Sequence, residues 1–204
     1  MDFSFTSEQD MLRDTVARLM REQYDFETRR KVASSETGWR PEMWAQFAEL
    51  GLLGASFSEE EGGFGGGPVE AMIISEEFGK GLVIEPYLQT VVIGGGFARH
   101  GGSAAQKEEL IPGIIGGETI IGFAQAEPKS RYDLHDVSTT AKKDGAGYVI
   151  NGHKAVVHGG PMATHFIVTA RTGGAQRDMG GIGVFIVPKN AKGVTTRDYP
   201  TVDG

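Results

Sequence analysis

The chain has 204 residues, 39% of them hydrophobic and 23% charged, which is enough to bury a core without a covalent staple. Cysteine is absent, and that excludes disulfides, zinc–cysteine sites, iron–sulfur clusters and a cysteine nucleophile. The net charge of −7, with no long basic run, argues against nucleic acid and anionic membrane as partners. The start, Met-Asp-Phe-Ser-Phe, lacks the basic and apolar regions of a secretory signal, and no window is apolar enough to span a membrane. The cytoplasm is the default location.

In chain order, Met11, Leu12, Thr15, Val16, Leu19 and Met20 recur at helical spacing, with Thr6 or Ser7 as the cap. A second helix opens at Pro41, carries Met43, Trp44, Phe47 and Leu50, and stops at Gly51. SEEEGGFGGG reads as a loop, and Gly62–Gly67 as a turn between helices. A third helix is expected over 69–80, a fourth over 86–99 weakened by Gly94, Gly95 and Gly96, and a short fifth over 104–115 interrupted by Pro112. After Gly117 the period changes. TIIGFAQAE, DVSTTAKKDG, GYVINGHKAVVHG, THFIVTARTG and GIGVFIVPK are short runs rich in Val, Ile, Thr and Phe, hence strands. Asp144-Gly145 and Asn151-Gly152 are hairpin-type signals. Helices followed by strands give the α+β class: an all-α domain over 1–117, then a small antiparallel β-barrel or sandwich over 118–204.

Residue chemistry alone stops there. The P-loop, the nucleophile elbow, HExxH and GxGxxG are all missing. The five histidines, at 100, 135, 153, 158 and 165, have no metal-binding spacing. His153 and His158 lie five apart, on opposite faces of a regular strand. Glu59, Glu60 and Glu61 read as a solvated loop or a helix cap, and Glu76 and Glu77 as solvated or paired helix residues.

Three stretches together resemble the acyl-CoA dehydrogenase family. WAQFAELGLLGASFSEEEGGFGGGPVEAMIISEEFGK is similar to its helical domain. GFAQAEPKSRYD looks like the opening of its middle domain, with Glu127, Pro128 and Asp133 matching a Thr-Glu-Pro-Gly-x-Gly-Ser-Asp run. TTAKKDGAGYVINGHKAVVHGG is similar to its Asn-Gly-x-Lys-x-Trp-Ile-Thr-Asn segment, retaining Asn151, Gly152 and Lys154. EPYLQTVVIGGGFARHGGSAAQK and SRYDLHDVSTTAKK bring the likeness nearest to small subunits of two-subunit, pimeloyl-CoA dehydrogenase-like enzymes.

The resemblance implies a helical domain, a middle β-barrel and a C-terminal four-helix domain. The last is missing before the chain stops at Gly204, and with it the family's catalytic glutamate, so no catalytic residue is assigned. It implies α,β-dehydrogenation of an acyl-CoA or dicarboxyl-CoA thioester with FAD, as in fatty acid β-oxidation. A large-subunit partner in a heterotetramer and an electron-transfer flavoprotein follow by the same likeness. The flavin positions carry over to Phe123, Gln125 and Ala126 in the first strand, and to Val156 and His158, where the family has Trp and Thr. Those approaching the CoA substrate become Arg131 and Tyr132 in place of Gly-Ser. The substitutions leave three readings: a subunit with a modified flavin pocket, a non-flavin half of a heteromeric enzyme, or a non-redox acyl-CoA-binding module. Oxygenases and oxidases share the architecture, so the reaction type rests on the family branch.

Overall fold

The computed structural model describes residues 4–199 and 201. The chain forms two compact units: one holds the residues up to Glu118 with the stretch from Tyr199, the other is Thr119–Asp198.

The first unit is helical. α1 (Ser7–Gln23) starts at a reciprocal cap, in which Thr6 Oγ1 accepts from Gln9 N and the Gln9 side chain accepts from Thr6 N. Its buried stripe of Val16, Leu19 and Met20 packs on α4 (Pro68–Gly81), which buries Ile73, Ile74 and Phe78. Between them lies a helix the sequence pattern did not reveal, α2 (Phe26–Ala33). Asp25 caps it, but it buries no residue, and Phe26 is 61% exposed, so there is no apolar stripe to detect. α3 (Pro41–Glu49) has proline at its first position and buries Met43, Trp44 and Phe47.

The expected SEEEGGFGGG loop contains a 3₁₀ turn, Glu59–Glu61, because Ser58 and Glu61 form a capping box. The expected fourth helix is a π-helix, Leu88–Gly94, running into α5 (Gly95–Gly101). Gly95 serves close packing, since a Cβ there would lie 2.6 Å from the Phe57 ring, whereas a Cβ on Gly96 would meet nothing within 4 Å. α6 (Ala104–Gly116) runs through Pro112 without interruption. Pro112 and Glu108 are both exposed, so water can satisfy the carbonyl that loses its donor. Glu77 is buried against Lys80 at 2.6 Å, and Glu76 reaches the same ammonium at 3.0 Å from the surface.

The second unit is a five-stranded sheet: β1 (Ile121–Ala124), β2 (Thr140–Asp144), β3 (Gly147–Asn151), β4 (His165–Arg171) and β5 (Ile182–Pro188). The expected α+β order of helices followed by a small sheet domain holds; only the all-antiparallel pairing expected of the barrel or sandwich needs correction, because the sheet is mixed. β4 pairs parallel with β1 along one edge and antiparallel with β5 along the other, and it meets β2 in parallel at Thr140↔Arg171. Alternating side chains report a strand but not its direction. The long connection from β1 to β4 is what permits the parallel pair. Asp144-Gly145 does turn the β2–β3 hairpin, with Gly145 at φ 57. Asn151-Gly152 does not, since the chain leaves the sheet there. The core gathers Ala124, Ala163 and Phe166, with Val157, Val168 and Val194 packed against them.

A charge-locked edge in the sheet unit

The end of β1 leads into a tight turn. Ser130 N donates to Glu127 O at 3.2 Å, Asp133 N donates to Ser130 O at 3.0 Å, and the Ser130 hydroxyl accepts from Glu127 N. This turn aims the Glu127 carboxylate inward. There it accepts from Ser138 N at 2.8 Å, Thr139 N at 3.0 Å, the Ser138 hydroxyl, and Lys154 Nζ at 2.8 Å. The Lys154 ammonium uses its remaining donors on Gln125 O at 3.1 Å and Thr169 Oγ1 at 3.2 Å. The two side chains are only 9% and 5% exposed. One ion pair thus ties the end of β1, the approach to β2, the middle of β4 and the segment after β3.

Burial by itself pushes the Glu127 pKa up. Hydrogen bonds from Lys154, Ser138 and Thr139 together outweigh it and hold the carboxyl down at about 2. For Lys154 the balance is reversed, and burial pulls its pKa below the usual lysine value despite the facing carboxylate. Glu127 is therefore anionic at every physiological pH, with its lone pairs taken.

The same lock carries several sequence-predicted positions. Phe123, in β1, is half-buried, as are Gln125 and Ala126 just beyond it. Ala126 O accepts from Ala155 N at 2.9 Å, which brings Val156 beside this strand end. Among the described residues, the Gln125 side-chain amide and the Ala126 N–H have no protein hydrogen-bond partner. His158 does not lie on a strand; it is exposed in the turn that follows, and His153 is exposed as well. Arg131 and Tyr132 stand at the tip of the Glu127–Asp133 turn, with Tyr132 99% exposed.

Backbone strain singles out two of these positions. Among the described residues, only Leu82, Arg131 and Val156 adopt positive φ without being glycine, and Leu82 is the C-cap of α4. Arg131 sits at φ 51 and Val156 at φ 54. The left-handed region costs a non-glycine residue roughly 1–2 kcal/mol, and a β-branched residue rarely enters it. Such outliers concentrate at functional sites.

Two structural anchors escaped the sequence pattern. Lys154 showed only as a retained turn residue, although a single lysine beside Ala155, Val156 and Val157 is itself a sign of a buried partner. Arg171 is buried and donates to four carbonyls, those of His135, Gln176, Asp178 and Gly180. It clasps the loop after β4 to the 133–138 turn, where Asp136 holds Gln176 and Arg177. Among the described residues, no group of three His, Asp or Glu could hold a metal.

Residues 6–118 match the description "Acyl-CoA dehydrogenase, N-terminal domain" and residues 122–204 "Acyl-CoA dehydrogenase, middle domain". Acyl-CoA dehydrogenase FadE12 of Mycobacterium tuberculosis is 32% identical over 153 residues, covering 74% of this chain and 39% of that protein. Mitochondrial isovaleryl-CoA dehydrogenase of Pongo abelii is 31% identical over 202 residues, covering 94% and 46%. The ChsE4–ChsE5 complex of Mycobacterium tuberculosis superposes with a TM-score of 0.80 at 26% identity, covering 93% and 49%. The chain thus spans less than half the length of each.

Proposed function

The chain belongs to the acyl-CoA dehydrogenase family, and on that premise we propose that it is a subunit of a flavin-dependent enzyme that dehydrogenates an acyl-CoA or dicarboxyl-CoA thioester between its α and β carbons. The observation that carries this reading is the half-buried polar edge at Gln125 and Ala126, where the Gln125 side-chain amide and the Ala126 N–H find no partner among the described residues. These groups are open to solvent and unengaged, so a heteroaromatic ring with hydrogen-bonding edges can pair with them without breaking a protein hydrogen bond. Phe123, Gln125, Ala126, Val156 and His158 would hold FAD, which when bound accepts the β-hydrogen as hydride.

The chain's own residues divide the remaining tasks. Lys154 fixes the Gln125 carbonyl and the 154–156 segment, so the edge is rigid before ligand arrives. Arg131, at the exposed turn tip, offers a guanidinium to a CoA phosphate or to a distal carboxylate, and Tyr132 offers a flat face beside it. Glu127 is not the base that removes the α-proton. Its pKa of about 2 makes it too weak, and its oxygens are occupied.

The ChsE4–ChsE5 complex holds two different proteins, which supports a large-subunit partner here. A heterotetramer in the cytoplasm, delivering electrons to an electron-transfer flavoprotein, completes the reading. Among the described residues, no helix is long and apolar enough to cross a membrane. A second reading, a non-flavin subunit that completes the partner's site, is favoured by one observation. Val156 and His158, where the family has Trp and Thr, are exposed, and no Phe, Tyr or Trp lies between 152 and 160.

Substitution of Gln125 by Leu in the co-expressed complex separates the two. The proposal expects reduced flavin occupancy and a slower flavin bleach on mixing with acyl-CoA. Unchanged occupancy and bleaching would overturn it. Arg131→Ala is expected to raise the Michaelis constant for dicarboxyl-CoA more than for monocarboxyl-CoA; equal effects would remove Arg131 from substrate recognition.

A further inference from the structure

The sequence contains two asparagines, Asn151 and Asn190, and the fold treats them differently. Asn151 ends β3, where its main-chain carbonyl accepts from Thr140 Oγ1 at 3.4 Å. Its side chain is exposed, and among the described residues its amide has no hydrogen-bond partner. The next residue is Gly152, whose N–H is likewise unpaired because the chain leaves the sheet there. Asn190 is also exposed, but Ala191 follows it, and the Ala191 N–H is engaged with Pro188 O at 3.0 Å.

We propose that Asn151 is a site of spontaneous deamidation, and that its conversion loosens the Lys154 anchor. The Gly152 nitrogen loses its proton to solvent base and attacks Asn151 Cγ. The N–Cγ bond forms, the Cγ–Nδ2 bond breaks, and ammonia leaves, which closes a succinimide. Water then opens the ring at the Cγ carbonyl to give aspartate, or at the main-chain carbonyl to give isoaspartate. The net change is one water consumed and one ammonia released. Three features favour the step at this position: no Cβ shields the attacking nitrogen, no hydrogen bond holds it, and the leaving amide is hydrated.

The fold also keeps this liability in place. A Cβ on residue 152 would overlap Thr139 Oγ1 and Cβ, so the position requires glycine even though glycine is what speeds the reaction. The consequence follows from distance along the chain. Either product adds a negative charge, and isoaspartate lengthens the main chain by one methylene, three residues before Lys154. Thr139 N and Lys154 Nζ both hold Glu127 Oε1, so a displacement at 151–152 reaches the ion pair from both sides. The chemistry is independent of whether the chain binds flavin.

The test is to incubate the intact protein in mildly acidic and mildly alkaline buffer and to map the peptides by mass. Expected is a loss of the unconverted Asn151 peptide that is faster at the alkaline pH, with the Asn190 peptide intact and no conversion in Asn151→Gln. Equal conversion at both asparagines, or none at Asn151, overturns the assignment. The converted fraction, separated by ion exchange, is expected to melt below the unconverted one. Identical melting overturns the link to Lys154 and leaves the flavin reading untouched.

Discussion

Replacing Lys154 with methionine keeps an unbranched side chain, one atom shorter, and removes the charge. Glu127 then remains buried with donors from Ser138 and Thr139 but, among the described residues, with no contacting cation. Breaking a buried pair by deleting one partner costs about 3–5 kcal/mol. The surviving hydrogen bonds place this case toward the lower end, while Gln125 O and Thr169 Oγ1 each lose a donor worth about 1 kcal/mol. A net loss of about 3–4 kcal/mol follows, which at about 1–3 kcal/mol per molar urea lowers the unfolding midpoint by roughly 1–4 M. The assay is equilibrium urea unfolding followed by far-ultraviolet dichroism, with Glu127→Gln and the double variant measured alongside. The double variant buries no unpaired charge, so it should cost less than the sum of the singles by roughly 0.5–3 kcal/mol. A shift for Lys154→Met within about 0.5 kcal/mol, the range of ordinary surface changes, refutes the claim that this pair locks the unit. So does strict additivity.

The pH dependence follows from the same pair. The folded pKa of Glu127 is depressed to about 2, so its contribution is fully present above the unfolded glutamate value and is lost as pH falls through 2. Acid titration of stability should therefore be shallower in Glu127→Gln between about pH 4 and 2, and an unchanged profile counts against the pair. Arg131→Gly and Val156→Gly relieve left-handed backbone and should each raise the melting temperature, by an amount equivalent to about 1 kcal/mol, at the expense of ligand binding. A lower melting temperature in both would show that neither position is strained. Tyr24→Phe removes the donor to Glu85, at 2.7 Å, and the acceptor for Ile84 N, at 2.9 Å, in a buried network. The expected cost is about 1–3 kcal/mol by thermal unfolding, and a neutral result would mean that water replaces both bonds.

The helical half was largely legible because its signals are local. Thr6, Pro41 and the stripe from Met11 to Met20 each announce an element within a few residues. α2 was silent because it buries nothing, and the Glu59–Glu61 turn was hidden in glycine-rich sequence. The strands were legible by composition, but their pairing was not. Ile121 opposite His165 depends on a connection of forty residues between β1 and β4, and no local pattern encodes that. The candidate site divides in the same way. The turn residues Glu127, Pro128 and Asp133 stood out as a motif, whereas the lock made by Lys154, Ser138 and Thr169 exists only after β2, β4 and the 152–158 segment have come together. His158 illustrates the converse: strand-like sequence placed it on a strand, and the departure of the chain at Gly152 puts it in an exposed turn.

The proposed function requires flavin at the Gln125–Ala126 edge of this chain. The most direct measurement is flavin absorbance counted per chain after denaturation, for the protein purified alone and with a co-expressed partner subunit, each with and without Gln125→Leu. The account predicts flavin attributable to this chain in the complex and a loss of that share in Gln125→Leu. A complex whose flavin content equals that of the partner alone, and is indifferent to Gln125, would contradict it and make this chain the supporting half of a shared enzyme.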